Sequence, residues 1–309
     1  MVENLPARIA ELKREKGAVI LAHYYCLPEV QAVADFLGDS LALSIKAQSV
    51  EEKVILFAGV NFMAETAKVL CPEKTVLIPC PEAGCSLADS CEAEELAAFK
   101  REHPECMVVS YVNTTVGVKA LTDICCTSSN ALQVVKSIPE SQPILFAPDR
   151  NLGSFIQAQT GRKNMIMWDG CCKVHEEFSA EAIKRLMAEN PTAKVVVHPE
   201  CTSEVVALAD YAGSTAGILE YCRASEAELF IVVTESGILA ELEKQMPSKQ
   251  FIPAPTFDPT VKCNECKDMK LVTLEKIAEC LEKMSPEVEI DEEIRSQAEK
   301  AIINMVNIK

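Results

Sequence analysis

Three stretches of the chain repeat one order of apolar and polar positions, and that order predicts alternating strands and helices. Each stretch opens with an apolar run that ends in polar residues: AVILAHYY (18–25), MVVSYVN (107–113) and KVVVHPE (194–200). His23, Tyr111 and His198 close these runs at spacings of 88 and 87 residues. A helical stretch follows, then a Ser or Thr expected to open a helix: Ser40 in GDS, Ser128 in TSSN and Thr215 in GST, again 88 and 87 apart. A second apolar run comes next (VILFAGV, PILFAPD, LFIVVTE), then another helix (NFMAETAKVL, NLGSFIQAQTG, SGILAELEKQM) and a third run (TVLIPCP, NMIMWDG, QFIPAP). Cysteines stand soon after each third run: Cys80 and Cys85, Cys171 and Cys172, Cys263 and Cys266.

Short unbroken apolar runs read as strands buried on both faces, and strands that alternate with helices of about 10–15 residues imply parallel sheets. Right-handed crossovers then put every loop that follows a strand on one edge of its sheet, where such sheets bind ligands. The repeat therefore predicts an α/β protein of three homologous three-layer α/β/α domains, with parallel sheets around a pseudo-threefold axis and strand ends pointing inward. The expected divisions are an N-terminal amphipathic helix at 1–16, repeats at 17–104, 105–191 and 192–270, and two outer C-terminal helices at 271–309.

The 309 residues, 49% hydrophobic and 25% charged, suit a globular chain of two or three domains. A net charge of −16 argues against nucleic acid, and anionic ligands must be held by local groups such as helix N-termini. No apolar run reaches the ~18–20 residues of a membrane span. The N-terminal segment carries charges where a secretion signal has an apolar core, so a cytoplasmic location is expected. In that compartment fifteen cysteines point to metal or redox chemistry rather than disulfides. Cys222 and Cys280, at helical core spacing, read as plain packing.

If each repeat gives one thiolate to the axis, the centre has three protein ligands. A zinc ion with an open position is one such centre. A [4Fe–4S] cluster with one uncoordinated iron is another, and that iron is a Lewis acid. Clustered ferredoxin spacing is absent, which speaks against electron transfer. Cys85 and Cys172 lie 87 apart, while Cys172 lies 91 from Cys263 and 94 from Cys266. The period favours Cys263, but a longer loop in the third repeat leaves the choice open. The pair at 263 and 266 also reads as a redox dithiol or half a zinc site, though no second ligand pair stands nearby.

AHYYCLPEVQAVADFLGDS, FMAETAK, AGCSLADS, SYVNTT, CTSSNA, GCCKVH, VHPEC, GSTAGI and CNECKDMKL, in this order along nearly the whole chain, resemble the signature blocks of the quinolinate synthase family. The resemblance implies condensation of iminoaspartate with dihydroxyacetone phosphate to quinolinate, phosphate and water, in de novo NAD biosynthesis. It implies one [4Fe–4S] cluster per chain on Cys85, Cys172 and Cys266, with Cys172 preferred to Cys171 as the cysteine three before the histidine. It also suggests transient contact with the enzyme that makes unstable iminoaspartate. Cys26 and Asn61 depart from common family residues at positions that are not ligands, and Cys263 suggests an accessory disulfide with Cys266.

Ser40, Ser128 and Thr215 could be ordinary helix caps; their equivalence, with the resemblance, makes them substrate-binding candidates ahead of Ser129 and Ser214. His23 and His198, two of four histidines, occupy matching strand ends and are read as substrate-binding, with His175 lining the same cavity. Glu200 is the expected general base, a role that a raised pKa would serve, with His198 on the same face of an extended segment. The alternative for Glu200 is a surface cap. Tyr25 is expected to relay protons near the free iron, and Tyr111 and Asn113 to hold a carboxylate. Tyr24 is expected in the core and His103 in a solvated loop. Another three-cysteine Fe–S dehydratase and an Fe–S redox sensor are the competing readings.

Overall fold

The computed structural model describes residues 4–261 and 264–308, which leaves Cys263 and its C-x-x-C pairing outside the described residues. Helix α1 (Leu5–Lys16), with Ile9 and Leu12 buried, leads into the first repeat. That repeat runs β1 (Ala18–His23), α2 (Pro28–Val33), β2 (Phe36–Gly38), α3 (Ser40–Ser49), β3 (Val54–Ala58), α4 (Asn61–Leu70) and β4 (Thr75–Leu77). After α5 (Ala93–Glu102), the second runs β5 (Met107–Tyr111), α6 (Val116–Leu121), β6 (Ile124–Cys126), α7 (Ala131–Ser137), β7 (Ile144–Ala147), α8 (Arg150–Thr160) and β8 (Met165–Met167). Helices α9 (Lys173–Glu176) and α10 (Ala180–Glu189) precede the third: β9 (Lys194–Val197), α11 (Ser203–Val206), β10 (Tyr211–Ala212), α12 (Thr215–Ala224), β11 (Leu229–Val233), α13 (Ile238–Gln245) and β12 (Gln250–Pro253). Helices α14 (Leu274–Lys283) and α15 (Glu292–Asn307) finish the chain.

Each repeat is thus a parallel four-stranded sheet with helices around it, in the spatial order second, first, third, fourth strand. The apolar runs predicted three strands per repeat. The fourth is the short edge strand β2, β6 or β10, of two or three residues, too brief to carry a period. What builds it is an aspartate just before it. The carboxylates of Asp35, Asp123 and Asp210, at the 88 and 87 spacing, accept the backbone N–H of Ile20, Val108 and Val195 at 2.8, 2.7 and 2.8 Å. Each bond pins the edge strand in register against the first strand.

Because strand order reverses between the first and third strands, a crevice opens beyond their carboxyl ends, the switch point of an open α/β sheet. The all-buried strands β1 and β3 explain their unbroken apolar runs. Helix α15 packs across α6, β6 and α4 and so binds the first two repeats, while α1 lies on α14. The Asn130 side chain donates to the carbonyl of Met305 at 2.9 Å, tying the second repeat to that helix. Cys222 and Cys280 are buried among core side chains, as packing predicts. No described helix is long and apolar enough to cross a membrane.

Candidate active site

The three crevices open into one cavity of about 660 Å³, counting its mouth. From the first repeat come His23 and Tyr25 beyond β1, Ser40 at α3 and Cys85 beyond β4. From the second come Tyr111, Asn113, Ser128, Cys172 and His175. The third supplies His198, Glu200, Thr215 and Cys266. All thirteen residues singled out in the sequence line this cavity.

Local sequence explains how the hydroxyls reach it. Ser40 and Thr215 are the first residues of α3 and α12, but the capping is done by their neighbours. Asp39 accepts from Ala42 N at 2.9 Å and Ser214 from Gly217 N at 3.1 Å. Ser40 and Thr215 are therefore not the caps; the Ser40 hydroxyl is left for the cavity, and Thr215 Oγ1 meets Tyr25 OH at 2.8 Å. Ser128 differs from expectation: it lies in a turn, and α7 begins three residues later at Ala131. The Asn130 carboxamide oxygen accepts from Thr127 N at 2.9 Å and stabilises that turn, while Ser129 donates to Asp39 at 2.6 Å across the first two repeats.

The two equivalent histidines share one device. The backbone N–H of Tyr25 donates to His23 Nδ1 at 3.1 Å, and that of Glu200 to His198 Nδ1 at 3.4 Å. Each ring therefore carries its proton on Nε2 as a donor, and His198 Nε2 lies 3.3 Å from Ser128 Oγ. Burial drives both rings down to about 3, so near pH 7 they are neutral donors to an anion, not cations.

This pair has a consequence for stability. Unfolded histidine takes up a proton near pH 6.5, while His23 and His198 in the fold resist protonation until about 3. Their lowered values contribute stability that is present above pH 6.5 and lost as pH falls toward 3. Each ring should make unfolding easier by about 1.4 kcal/mol per pH unit in that window. Urea unfolding between pH 7.5 and 5 measures the slope, and His23→Asn should roughly halve it. An unchanged slope in that variant would sink the assignment.

Glu200 is only 3% exposed, which excludes a surface cap. It stands in the turn after β9 rather than on an extended segment, and its carboxylate still comes within 3.9 Å of His198 Nδ1. Burial alone would push its carboxyl up. The rings of His198 and His175 and the hydroxyl of Tyr111 outweigh burial and hold it below the ordinary carboxylate range, so the expected raised pKa is not found. With His198 neutral near pH 7, the charge rests mainly on the His175 and Tyr111 hydrogen bonds.

A hydrogen-bonded chain crosses the cavity wall. Tyr25 OH lies 2.8 Å from both Thr215 Oγ1 and Thr234 Oγ1, and Thr234 Oγ1 lies 2.9 Å from His175 Nε2. His175 Nδ1 then reaches Glu200 Oε2 at 2.9 Å and Cys172 Sγ at 3.3 Å. An ionised Glu200 makes Nδ1 the donor, which leaves Nε2 to accept from Thr234 and Thr234 to accept from Tyr25. Sequence reasoning missed Thr234, a lone hydroxyl at the end of β11 whose partners lie in other repeats. Among the described residues, Asn113 Oδ1 is the one buried side-chain nitrogen or oxygen without a hydrogen-bond partner, and it faces this cavity. Such an orphan marks a place for a ligand's donor.

The donor set fits a metal centre. Burial pushes the Cys85 thiol up to about 12 and Cys266 up to about 11, and raises Cys172 as well. Backbone N–H groups of Ala88 and Leu87 at Cys85, and of Met269 at Cys266, offset only part of that. Thiolates there need a cationic centre, and a coordinating metal deprotonates a thiol outright. Among the described residues, the one group of three ligand atoms within 4.8 Å of each other is Cys172, His175 and Glu200. Cys85, Cys172 and Cys266 do not form such a group, so at least one pair of their sulfurs stands farther apart than the about 3.8 Å between sulfurs that share one tetrahedral zinc.

Residues 7–307 match the family model described as Quinolinate synthetase A protein. A quinolinate synthase of Prochlorococcus marinus (strain MIT 9313) is 52% identical over 307 residues, 99% of this chain and 92% of that protein. One of Thermosynechococcus vestitus is 52% identical over 305 residues, 99% and 95% of the two chains. One of Trichodesmium erythraeum (strain IMS101) is 50% identical over 306 residues, 99% and 94% of the two.

Proposed function

Since this chain belongs to the quinolinate synthetase A protein family, we propose that it condenses iminoaspartate with dihydroxyacetone phosphate to quinolinate, phosphate and water. The observation that carries this reading is the meeting of three cysteines, one per repeat, in the cavity that also holds the neutral imidazoles, the hydroxyls and the ionised Glu200. Cys85, Cys172 and Cys266 would hold one [4Fe–4S] cluster per chain, which with three protein ligands keeps one iron free as a Lewis acid for loss of water.

The other groups divide the remaining work. A dicarboxylate and a phosphate ester need several anion positions in a chain of net charge −16. Ser40 offers its hydroxyl, and Thr215 stands, at the starts of ten-residue helices, where the helix dipole favours anions. His23 and His198 add Nε2–H donors, and Tyr111 and Ser128 add hydroxyls. Glu200, ionised and acceptor-only, takes protons from bound substrate. Tyr25, kept neutral by burial, can take a proton from bound substrate while its own passes to Thr234, that of Thr234 to His175 Nε2, and that of His175 Nδ1 to Glu200. Asn113 Oδ1 suits the imine N–H or a triose hydroxyl, a refinement of the carboxylate role expected for it. The reading puts this chemistry in the cytosol, with iminoaspartate received by transient contact with the enzyme that makes it.

A second reading has one observation in its favour. The closeness of Cys172, His175 and Glu200 could hold a single ion. Anaerobic analysis separates the two, because the cluster gives about four irons and four sulfides per chain and a lone ion gives no sulfide. Quinolinate formed from enzymatically made iminoaspartate and dihydroxyacetone phosphate then tests the reaction. Its absence in cluster-loaded protein would leave a different Fe–S dehydratase or a redox sensor as the better account.

The relay makes its own prediction. Thr234→Val keeps the shape of the side chain and removes the hydroxyl between Tyr25 and His175. The kcat should fall roughly 10²-fold, at the lower end of general acid–base effects, with KM little changed. Equal loss in KM and no loss in kcat would mean that Thr234 only helps binding.

A further inference from the structure

Two buried carboxylates stand at equivalent places in the second and third repeats, each two residues beyond the end of the third strand. Asp149 follows β7 and Glu235 follows β11, and both are fully buried. Asp149 Oδ1 accepts from Leu152 N at 2.7 Å, and its Oδ2 accepts from the backbone N–H of Cys172 at 3.3 Å. Glu235 Oε2 accepts from Gly237 N at 2.6 Å, and its Oε1 accepts from the backbone N–H of Cys266 at 3.0 Å. Lys270 reaches the same Oε1 at 2.7 Å and donates to the carbonyl of Tyr25 at 2.7 Å, so this carboxylate also steadies the strand end that carries Tyr25. Gly237 has no side chain because a Cβ there would come within 2.7 Å of both the Glu235 carboxylate and Tyr25 Cα. The first repeat has Val60 at this position, and Cys85 is held instead by its own following turn, whose Asp89 N donates to Cys85 O at 3.0 Å.

We propose that Asp149 and Glu235 are positioning residues for the metal centre: each fixes the backbone of a ligating cysteine, Cys172 or Cys266, and Glu235 also brings its ion pair with Lys270 beside the second of them. The inference rests on the cluster reading above and extends it from the ligands to their supports. A cysteine on a loop has freedom about its backbone, and a carboxylate that holds its N–H removes that freedom before metal arrives. Supports of this kind set both how tightly a centre is held and at what potential it is reduced.

The test uses anaerobically loaded protein carrying Glu235→Gln or Asp149→Asn, changes that keep the shape of the side chain. Iron and sulfide content, the rate of iron loss to EDTA, the midpoint potential of the cluster and the unfolding temperature are measured together. Asp210→Asn serves as the control, since it weakens an equivalent carboxylate-to-backbone bond at an edge strand away from the cavity. Both test variants should lose iron about 10–100-fold faster than the parent. Glu235→Gln should also shift the potential to more positive values, because a negative charge is gone and Lys270 remains. Asp210→Asn should lower the unfolding temperature and leave rate and potential alone.

Unchanged rate and potential in both test variants, with only stability lowered, would overturn the proposal and make these carboxylates ordinary loop ties. Should Glu235→Gln assemble no cluster, Asp149→Asn carries the same comparison in the other repeat. Parent protein with neither iron nor sulfide would overturn the cluster reading itself, and this inference with it.

Discussion

Glu200→Gln should lower kcat by about 10²–10⁴-fold while iron and sulfide stay at parental levels. Glutamine fills the same space and can still accept from His175 Nδ1, so the cavity keeps its shape. It cannot hold a proton taken from substrate. Glu200 is buried and ionised, and its charge is held by hydrogen bonds from His175 and Tyr111 rather than by a lysine or arginine. A base stabilised by hydrogen bonds has lost some driving force, and it regains it as those donors turn to the substrate. Steady-state turnover with iminoaspartate made in place gives the answer, with metal content measured on the same sample. Parental turnover in Glu200→Gln would remove Glu200 from proton transfer and leave the role of base to another group of the cavity.

Cysteine replacements should have the largest effect of all. Cys85→Ser, Cys172→Ser and Cys266→Ser should each prevent an intact cluster and cut turnover by more than the roughly 10–100-fold that loss of a supporting residue costs. Cys171→Ser is the sharp comparison. Cys171 is the neighbour of Cys172, yet it lies outside the cavity lining and near Arg150. Its replacement should leave iron, sulfide and turnover unchanged. Cys222→Ala, in the core, should lower stability by up to a few kcal/mol without touching the metal. If Cys171→Ser lost the cluster and Cys172→Ser kept it, the ligand assignment would be reversed and the mononuclear group at Cys172, His175 and Glu200 would lose its sulfur.

The sequence by itself determined the strands, the helices and their threefold recurrence, because apolar period and run length are local signals that survive without coordinates. It also determined which side chains stand at strand ends, and therefore that His23, Tyr111 and His198 would look toward one place. It even held, unread, the repeated aspartates at 35, 123 and 210 and the carboxylates at 149 and 235, whose spacing becomes meaningful only once their backbone partners are known. Tertiary structure alone decided the rest, because it depends on groups distant in the chain. The bond between Tyr25 and Thr215 joins residues 190 apart, and the one between Tyr25 and Thr234 joins residues 209 apart. Whether a hydroxyl caps its helix or faces the cavity turned on one neighbour, Asp39 or Ser214. The sign of the Glu200 shift was a contest between burial and its neighbours His175, Tyr111 and His198 from two repeats, and no reading of VHPEC could have settled it. Local pattern sets where a side chain starts; its charge and partners are fixed only when the three sheets close around the same space.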